Sequence, residues 1–407
     1  MKVVVIGAGI GGLVLAHTLR GFGVDVHVYD RDVDLECTGS YRLHLDSNAT
    51  DVLRRRISPE AYRALLASAS GPEMFRQVSV LDQSMRQLVR IPNIAGEDDM
   101  LIGRIPLRTI LAVGLDDVVH FGCEFTDFTV EDDDTVTAHF ADGSTVHADV
   151  LVAADGAGSP ITATLAGKAT AEELPLHGLS GRTPVTDRSL LPSAVGSGPA
   201  FAIGPKGLAV FLSFHDPRTS VMVPTTCADV PAHPEDPYLI WGAVIDGKLG
   251  DVSTPPTAED LFQKSITLFD GWSRQLRRLI ESTDIDSLRQ FPYLAGDPDN
   301  IVAWAPGPVT ALGDALHAMP PTVGPGAATA IRDADHLGVK LAIAAKGTTT
   351  LEAALRDYHR LVVPYAAEAI REALQPLSWR SKLDNQLSYQ VLRRVLPVAD
   401  RVKRLVS

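Results

Sequence analysis

The apolar positions of the chain fall into two textures. Val3 to Ile6 is an unbroken β-branched run, and Val150 to Ala154 and Val309 to Leu312 are nearly as apolar. Such runs mark strands buried on both faces of a parallel sheet. Val24 to Tyr29 alternates and reads as a strand ending at Asp30. Helical spacing follows from Leu13 to Leu19 and again from Ala327 to Ala345, where Ile331, Ala334, Leu337 and Leu341 form one stripe. A helix from Thr350 to Leu374, bent or broken at Pro364, and a basic amphipathic segment close the chain. The second texture runs from Gly167 to Pro298. Short alternating stretches at 200–203, 208–214, 220–223 and 238–244 are separated by proline and glycine, which predicts an antiparallel sheet with one solvated face. Helices at 258–269 and 273–282 follow it.

Smaller elements lie between these. Tyr41 to Leu45 reads as a short strand and Ser47 to Arg56 as a helix. Ser58-Pro59 is a helix start. Val78–Leu81 and Gln87–Ile91 form a hairpin expected to join the second sheet. A helix is expected over Arg108 to Leu115, then strands over 123–130, 135–140 and 144–148. The expected architecture is α/β: a Rossmann-like nucleotide-binding domain (1–75, 100–166 and 299–345), an inserted β-sheet substrate domain (76–99 and 167–298) and C-terminal helices (346–407).

The ends of the buried strands carry the chemistry. Gly7, Gly9 and Gly12 form G-x-G-x-x-G directly after the first strand. Gly7 permits a tight turn, Gly9 lets the backbone approach a pyrophosphate, and the helix beginning near Ile10 and Gly11 points its positive end at the phosphates. Asp30 stands where an acid takes a ribose hydroxyl pair, with Arg31 beside it. Together these predict a dinucleotide site. The second strand end is Asp155-Gly156, by itself an ordinary turn. The third is Gly313-Asp314, followed by His317, Pro320-Pro321 and Gly324-Pro-Gly326, which opens a helix. Ligands of open parallel sheets lie beyond the carboxyl ends of the strands, so three such ends can converge on one large cofactor.

Composition narrows the partners. The chain has 407 residues and a formal net charge of −13, which argues against nucleic acid. No apolar stretch is long enough to span a membrane. Glycines interrupt the first apolar run, and a strand and an acid follow, so a cytoplasmic protein without a secretory leader is expected. Cys37, Cys123 and Cys227 are far apart and show no metal spacing.

Gly7-x-Gly9-x-x-Gly12, Asp155-Gly156 and Gly313-Asp314, in this order, resemble the three FAD fingerprints of class A flavoprotein monooxygenases, the para-hydroxybenzoate hydroxylase-like family. Arg104-Ile-Pro-Leu107 is similar to its R-x-x-L helix start, and Tyr358-His-Arg360 to the segment after its long FAD-covering helix. The resemblance implies FAD, with NADPH or NADH as co-substrate and oxygen transfer through a flavin C4a-hydroperoxide. It implies that the glycine loop holds the pyrophosphate and Asp30 the adenosine ribose. Arg104 and Arg42 would contact the phosphate or ribityl region, and Asp314 the ribityl chain. Gly324, Gly326 and Ala327 would line the pyrimidine side of the flavin, and Pro320 and Pro321 its reacting face. Asp155 would serve both cofactor structure and nicotinamide use. The chain departs from the family where Thr162 replaces an arginine and where Pro325 and Ala328 replace amide residues. These departures keep open a redox-neutral FAD-containing cyclase or isomerase beside an aromatic or polyketide monooxygenase.

The substrate is expected between the nucleotide domain and the middle sheet. Phe201, Phe211, Phe214, Met222, Trp241 and Phe291 are the lining candidates. A phenolic substrate gains from a base, and His44, His215 and His317 are the candidates, none with an acid partner visible in sequence. Trp272 lacks the paired tryptophan of flavin halogenases.

Overall fold

A computed structural model describes residues 1–39, 41–92, 96–216, 236–249, 255–322, 324–381, 389–391 and 393–397. The buried runs assemble as their composition requires. They form a parallel sheet in the order Val309–Ala311, Val150–Ala153, Lys2–Ile6, Asp25–Tyr29 and Val119–His120. Helices Ile10–Gly21 and Gly326–Ala345 pack on it, sharing one core with Val4, Leu15, Ile331 and Leu337. Gly338 lets these helices meet closely, since a Cβ there would lie 2.4 Å from the Thr18 methyl.

The expected hairpin at 77–92 does leave this unit. It joins a seven-stranded sheet ordered Asp284–Gly296, Ala171–Pro184, Tyr238–Asp246, Ala209–His215, Ala200–Ile203, Gln77–Asp82 and Gln87–Pro92. That sheet is antiparallel except at one pair. Ala200–Ile203 runs parallel to Gln77–Asp82, because the chain reaches the two strands from different excursions. Two long strands, Ala171–Pro184 and Asp284–Gly296, were not predicted; Pro175, Gly178 and Gly181 break the alternation in the first, and bulges interrupt their pairing. Helices Ala258–Leu268 and Arg274–Glu281 cover one face, making a second core with Leu179, Leu212, Trp241 and Phe269.

Two further expectations change. The helix expected at Arg108 begins at Arg104, with Pro106 in its first turn, where the missing N–H costs nothing. The helix expected to bend or break at Pro364 runs continuously from Leu351 to Ser381 through both Pro364 and Pro376. The stretch 220–223 and Cys227 lie outside the described residues. No described helix is long and apolar enough to cross a membrane.

A two-stranded ribbon, Arg42–Leu45 against Met100–Gly103, links the halves. Leu43 and Leu45 enter the first core, which leaves Arg42 and His44 on the other side of their strand. At the far end of the second sheet, Asp82 is fully buried and held by Arg86 and by Arg393 at 2.9 Å.

Trp241 is fully buried, edge-on to Phe269, and its Nε1 donates to Thr283 Oγ1 at 3.0 Å. Trp241→Ala is expected to destabilise the protein by about 3–5 kcal/mol through the cavity it leaves. Thermal or denaturant unfolding of the variant measures this.

Candidate active site

Helix starts locate the site. The helices beginning at Ser47, Pro59, Pro160, Ala258 and Arg274 are capped by the side chains of Asp46, Ser58, Ser159, Thr257 and Ser273, and Thr350 accepts from Ala353 N at the last long helix. The helices beginning at Ile10, Arg104 and Gly326 carry no side-chain cap. At Arg104 the chain meets the need itself, since Arg104 N donates to Tyr41 O at 2.8 Å and Pro106 has no N–H. At Ile10 and Gly326 the first-turn N–H groups are left for an external acceptor, which an anion or a ring carbonyl satisfies. The sequence placed cofactor residues on all three helices.

At the first of them, Gly7 adopts φ +113° and its Cα lies against the neighbouring strand end, where a Cβ would come within 2.3 Å of Ala154 O; its carbonyl lies against Gly12, where a Cβ would come within 2.0 Å of it. A Cβ on Gly9 meets nothing nearer than Ala154 O at 4.0 Å, so a side chain there would project into the space a phosphate needs. Asp30 lies at the predicted place but is committed within the chain. Its Oδ2 accepts from Ala8 N at 2.6 Å and Arg108 at 3.1 Å, and its Oδ1 from Asp32 N at 2.8 Å. Arg108, which the sequence reading passed over, is buried and also donates to Ala8 O and Asp32. The pair therefore braces the glycine loop from behind.

Arg31 is exposed at the same edge and acts electrostatically on Asp155. Both Asp155 oxygens are buried without a hydrogen-bond partner in the described chain, and burial pushes its carboxyl up to about 6. Beside it, a Cβ on Gly156 would meet nothing within 4 Å. Thr162 is buried with its hydroxyl on Thr170 at 3.0 Å, so the family's arginine position is filled here by packing.

At the third strand end, Asp314 is solvent-accessible, yet the protein around it pushes its carboxyl up, against the pull of His317 and Arg104. Arg104 donates to the Tyr41 hydroxyl at 2.7 Å and lies 5.1 Å over its ring. A Cβ on Gly326 would stand 3.7 Å from Asp314 Oδ1, so the helix start and the acid face one space. Asp333 fixes this corner. It accepts from Gly313 N at 2.8 Å, His317 Nε2 at 2.5 Å and Tyr365 OH at 2.6 Å. Burial disfavours charge on His317, but Asp333 outweighs it and raises the imidazole pKa. Pro320 is buried and Pro321 exposed, and Thr322 ties their loop to Ala373 O on the long helix. Gly324 adopts φ +79°.

Arg42 does not join this group. It donates to Ser70 Oγ at 3.1 Å and Leu101 O at 2.7 Å, and Ser70 in turn contacts His215 Nδ1 at 2.8 Å. Arg42 thus belongs to the seam between the two sheets. His215 is buried, and burial with nearby Arg42 pushes it down to about 2, so it is neutral.

Register sorts the aromatic candidates. Phe201, Phe211 and Gly242 are cross-strand neighbours, and Ser213 and His215 alternate onto the same face, the one that meets Ser70. Phe291 packs over Gly178 on this face and stacks on Tyr293 at 5.9 Å. Trp241 and Phe214 are corrected: both point to the opposite, helix-covered face and belong to the core. Met222 lies outside the described residues.

These features fit an extended dinucleotide carrying a flat ring, and the sequence comparisons agree. The model of an FAD binding domain family matches residues 1–180 and 290–373, and the chain belongs to that family. It is similar to the dual O-methyltransferase/FAD-dependent monooxygenase elcB of Phaeosphaeria nodorum, 28% identical over 83% of this chain and 40% of that protein. The chain spans about two-fifths of the length of such fungal relatives. The 6-hydroxynicotinate 3-monooxygenase of Bordetella bronchiseptica is 28% identical over 82% of this chain and 80% of its own. A crystal structure from Photorhabdus luminescens, assigned as an FAD-containing monooxygenase, superposes with a TM-score of 0.78 at 26% identity, covering 94% and 98% of the two chains.

Asp155→Asn provides a test of this corner. The raised folded-state pKa means that wild-type stability is fully present below about pH 4 and declines as pH rises through about 6. Without FAD, the variant is expected to melt higher than wild type at pH 8, by at most about 3 kcal/mol of stability, with the gap closing near pH 4. Melting curves across this range measure it.

Proposed function

We propose that the chain is an FAD-dependent monooxygenase that uses NADPH or NADH and O2 to hydroxylate or epoxidise an aromatic or polyketide-like small molecule. The observation that supports this is the pair of uncapped helix starts at Ile10 and Gly326, the first following a glycine turn packed against the strand end that carries Asp155 and the second standing beside Asp314. The relatives' names supply the reaction class.

In this reading the turns at Ile10–Gly12 bind the pyrophosphate through backbone N–H groups. Asp30 and Arg108 hold that loop in shape, leaving the ribose to the groups around them. Arg104 and Tyr41 flank the middle of the cofactor, and Asp314 takes its hydroxyls. Gly324 to Ala327 lie against the pyrimidine edge, and Pro320 and Pro321 border the ring. FAD, when bound, supplies reduction by the nicotinamide and activation of oxygen. Phe201, Phe211 and Phe291 offer an apolar wall on the facing sheet and exclude water from the reacting ring.

Purified protein should carry oxidised flavin absorbance and consume NAD(P)H and O2 together when substrate is present. Turnover that persists without reductant and oxygen would overturn the reading in favour of a redox-neutral reaction. Gly9→Val is expected to abolish FAD retention with the fold intact by circular dichroism. Asp314→Ala should weaken FAD binding about tenfold or more, the scale of a lost charge-assisted hydrogen bond. Fluorescence titration with FAD measures both.

A further inference from the structure

We propose that the C-terminal segment around Val391 and Val395 is a docking surface for an anionic lipid bilayer, on which it lies without crossing. The surface stands apart from the cofactor residues, and the proposal does not rest on the monooxygenase reading.

Residues 389–391 and 393–397 are helical. One side of this segment is fastened to the second sheet. Tyr389 is 1% exposed, and its hydroxyl accepts from Gln83 N at 3.4 Å. Arg393 donates to the buried Asp82 at 2.9 Å, and its own carbonyl accepts from Arg86 at 3.3 Å. At about 3.6 residues per turn, Tyr389, Arg393 and Leu396 share that side. Val391 and Val395, one turn apart, fall on the opposite side, and each is 55% exposed. Gln390 and Arg394, also exposed, border them. A surface helix fastened along one side normally turns a polar side outward; this one turns out two valines.

The charge of the segment says what covers that side. Val391, Val395, Val398, Val402 and Leu405 recur at intervals of four, three, four and three, the spacing of one helix face. Among them stand Arg394, Arg401, Lys403 and Arg404, with Asp400 the one acid after Tyr389. The whole chain, by contrast, has 50 Asp and Glu against 37 Lys and Arg. A basic amphipathic stretch places its cations among anionic headgroups while its apolar side enters the acyl boundary. Salt confines repulsion from the acidic remainder of the protein to about 8 Å, so a segment on the surface engages first. A second copy of the chain suits the stripe less well. Pairing would set the basic residues against their equivalents, with only Asp400 to offset them. Docking brings the hairpin to which the segment is fastened beside the bilayer, and Ile91 on that hairpin is itself 47% exposed.

The test uses the full chain loaded with FAD and unilamellar vesicles, either of phosphatidylcholine alone or of phosphatidylcholine mixed with phosphatidylglycerol. The protein is expected to sediment with the anionic vesicles, to stay behind with the neutral ones, and to be released by high salt. Arg394→Gln combined with Arg401→Gln should weaken partitioning roughly twentyfold, about fivefold per charge. Val391→Ser combined with Val395→Ser should weaken it severalfold while leaving its salt dependence in place. Neither pair includes Tyr389, Arg393 or Asp82, so melting temperature and FAD retention should match wild type. Should a pair fail to fold, the single substitutions Arg394→Gln and Val395→Ser read the same two effects. Equal binding to both kinds of vesicle, no binding to the anionic ones, or wild-type partitioning by either variant overturns the proposal. So does dimerisation without lipid that the valine substitutions abolish, which would give the surface to a second copy of the chain.

Discussion

The structure turns on backbone donors that the chain declines to satisfy itself. Capping a helix start contributes about 1 kcal/mol, and this chain takes that stabilisation at its other long helices. At Ile10 and Gly326 it forgoes it, while at Arg104 a backbone carbonyl, Tyr41 O, takes the first N–H in place of a side chain. The two forgone caps lie at strand ends of the parallel sheet, beside Asp155 and Asp314, which is where the reading above puts the cofactor. Binding of such a ligand also stabilises the native state, because the unfolded chain presents no such array.

The parts legible in sequence were those whose physics is local. A β-branched run followed by G-x-G-x-x-G announces a buried strand and its turn without reference to the rest of the chain. The capping serine at Ser58 behaves as expected for the same reason. What escaped depended on partners far away. Trp241 and Phe211 both alternate along strands, and only the helices at 258–268 and 274–281 decide which face becomes core. The strand Ala171–Pro184 hides its character behind Pro175 and two glycines, and forms because strands on both sides complete its hydrogen bonds. Pro364 did not stop its helix because Val362, Ala366, Ala367 and Ile370 bury around it, so packing outweighs one lost hydrogen bond.

The site divides in the same way. The glycines and Asp314 were readable, since each sits at a strand end. Asp333 was within reach: a carboxylate beside Ala334 and four residues before Leu337, on the buried side of an apolar helix, has no cheap explanation except a buried partner. Asp99 and Arg108 were not, because nothing in their local spacing shows that they meet His44 and Asp30. The ribbon that carries Arg42 and His44 ends at Gly103, immediately before Arg104. One short two-stranded element thus sets the seam, the position of His44 and the start of the helix that opens with Arg104.

Asp333 lies seven residues beyond Gly326 on a single helix, a rise of about 10 Å, and it grips Gly313 at the base of the strand that delivers Asp314. The helix start and the acid are therefore tied together at both ends: a Cβ on Gly326 would stand 3.7 Å from Asp314 Oδ1, and Asp333, two turns further along, holds the residue just before that acid. A shift of the helix along its axis carries Gly313 and Asp314 with it, so the two move as one body.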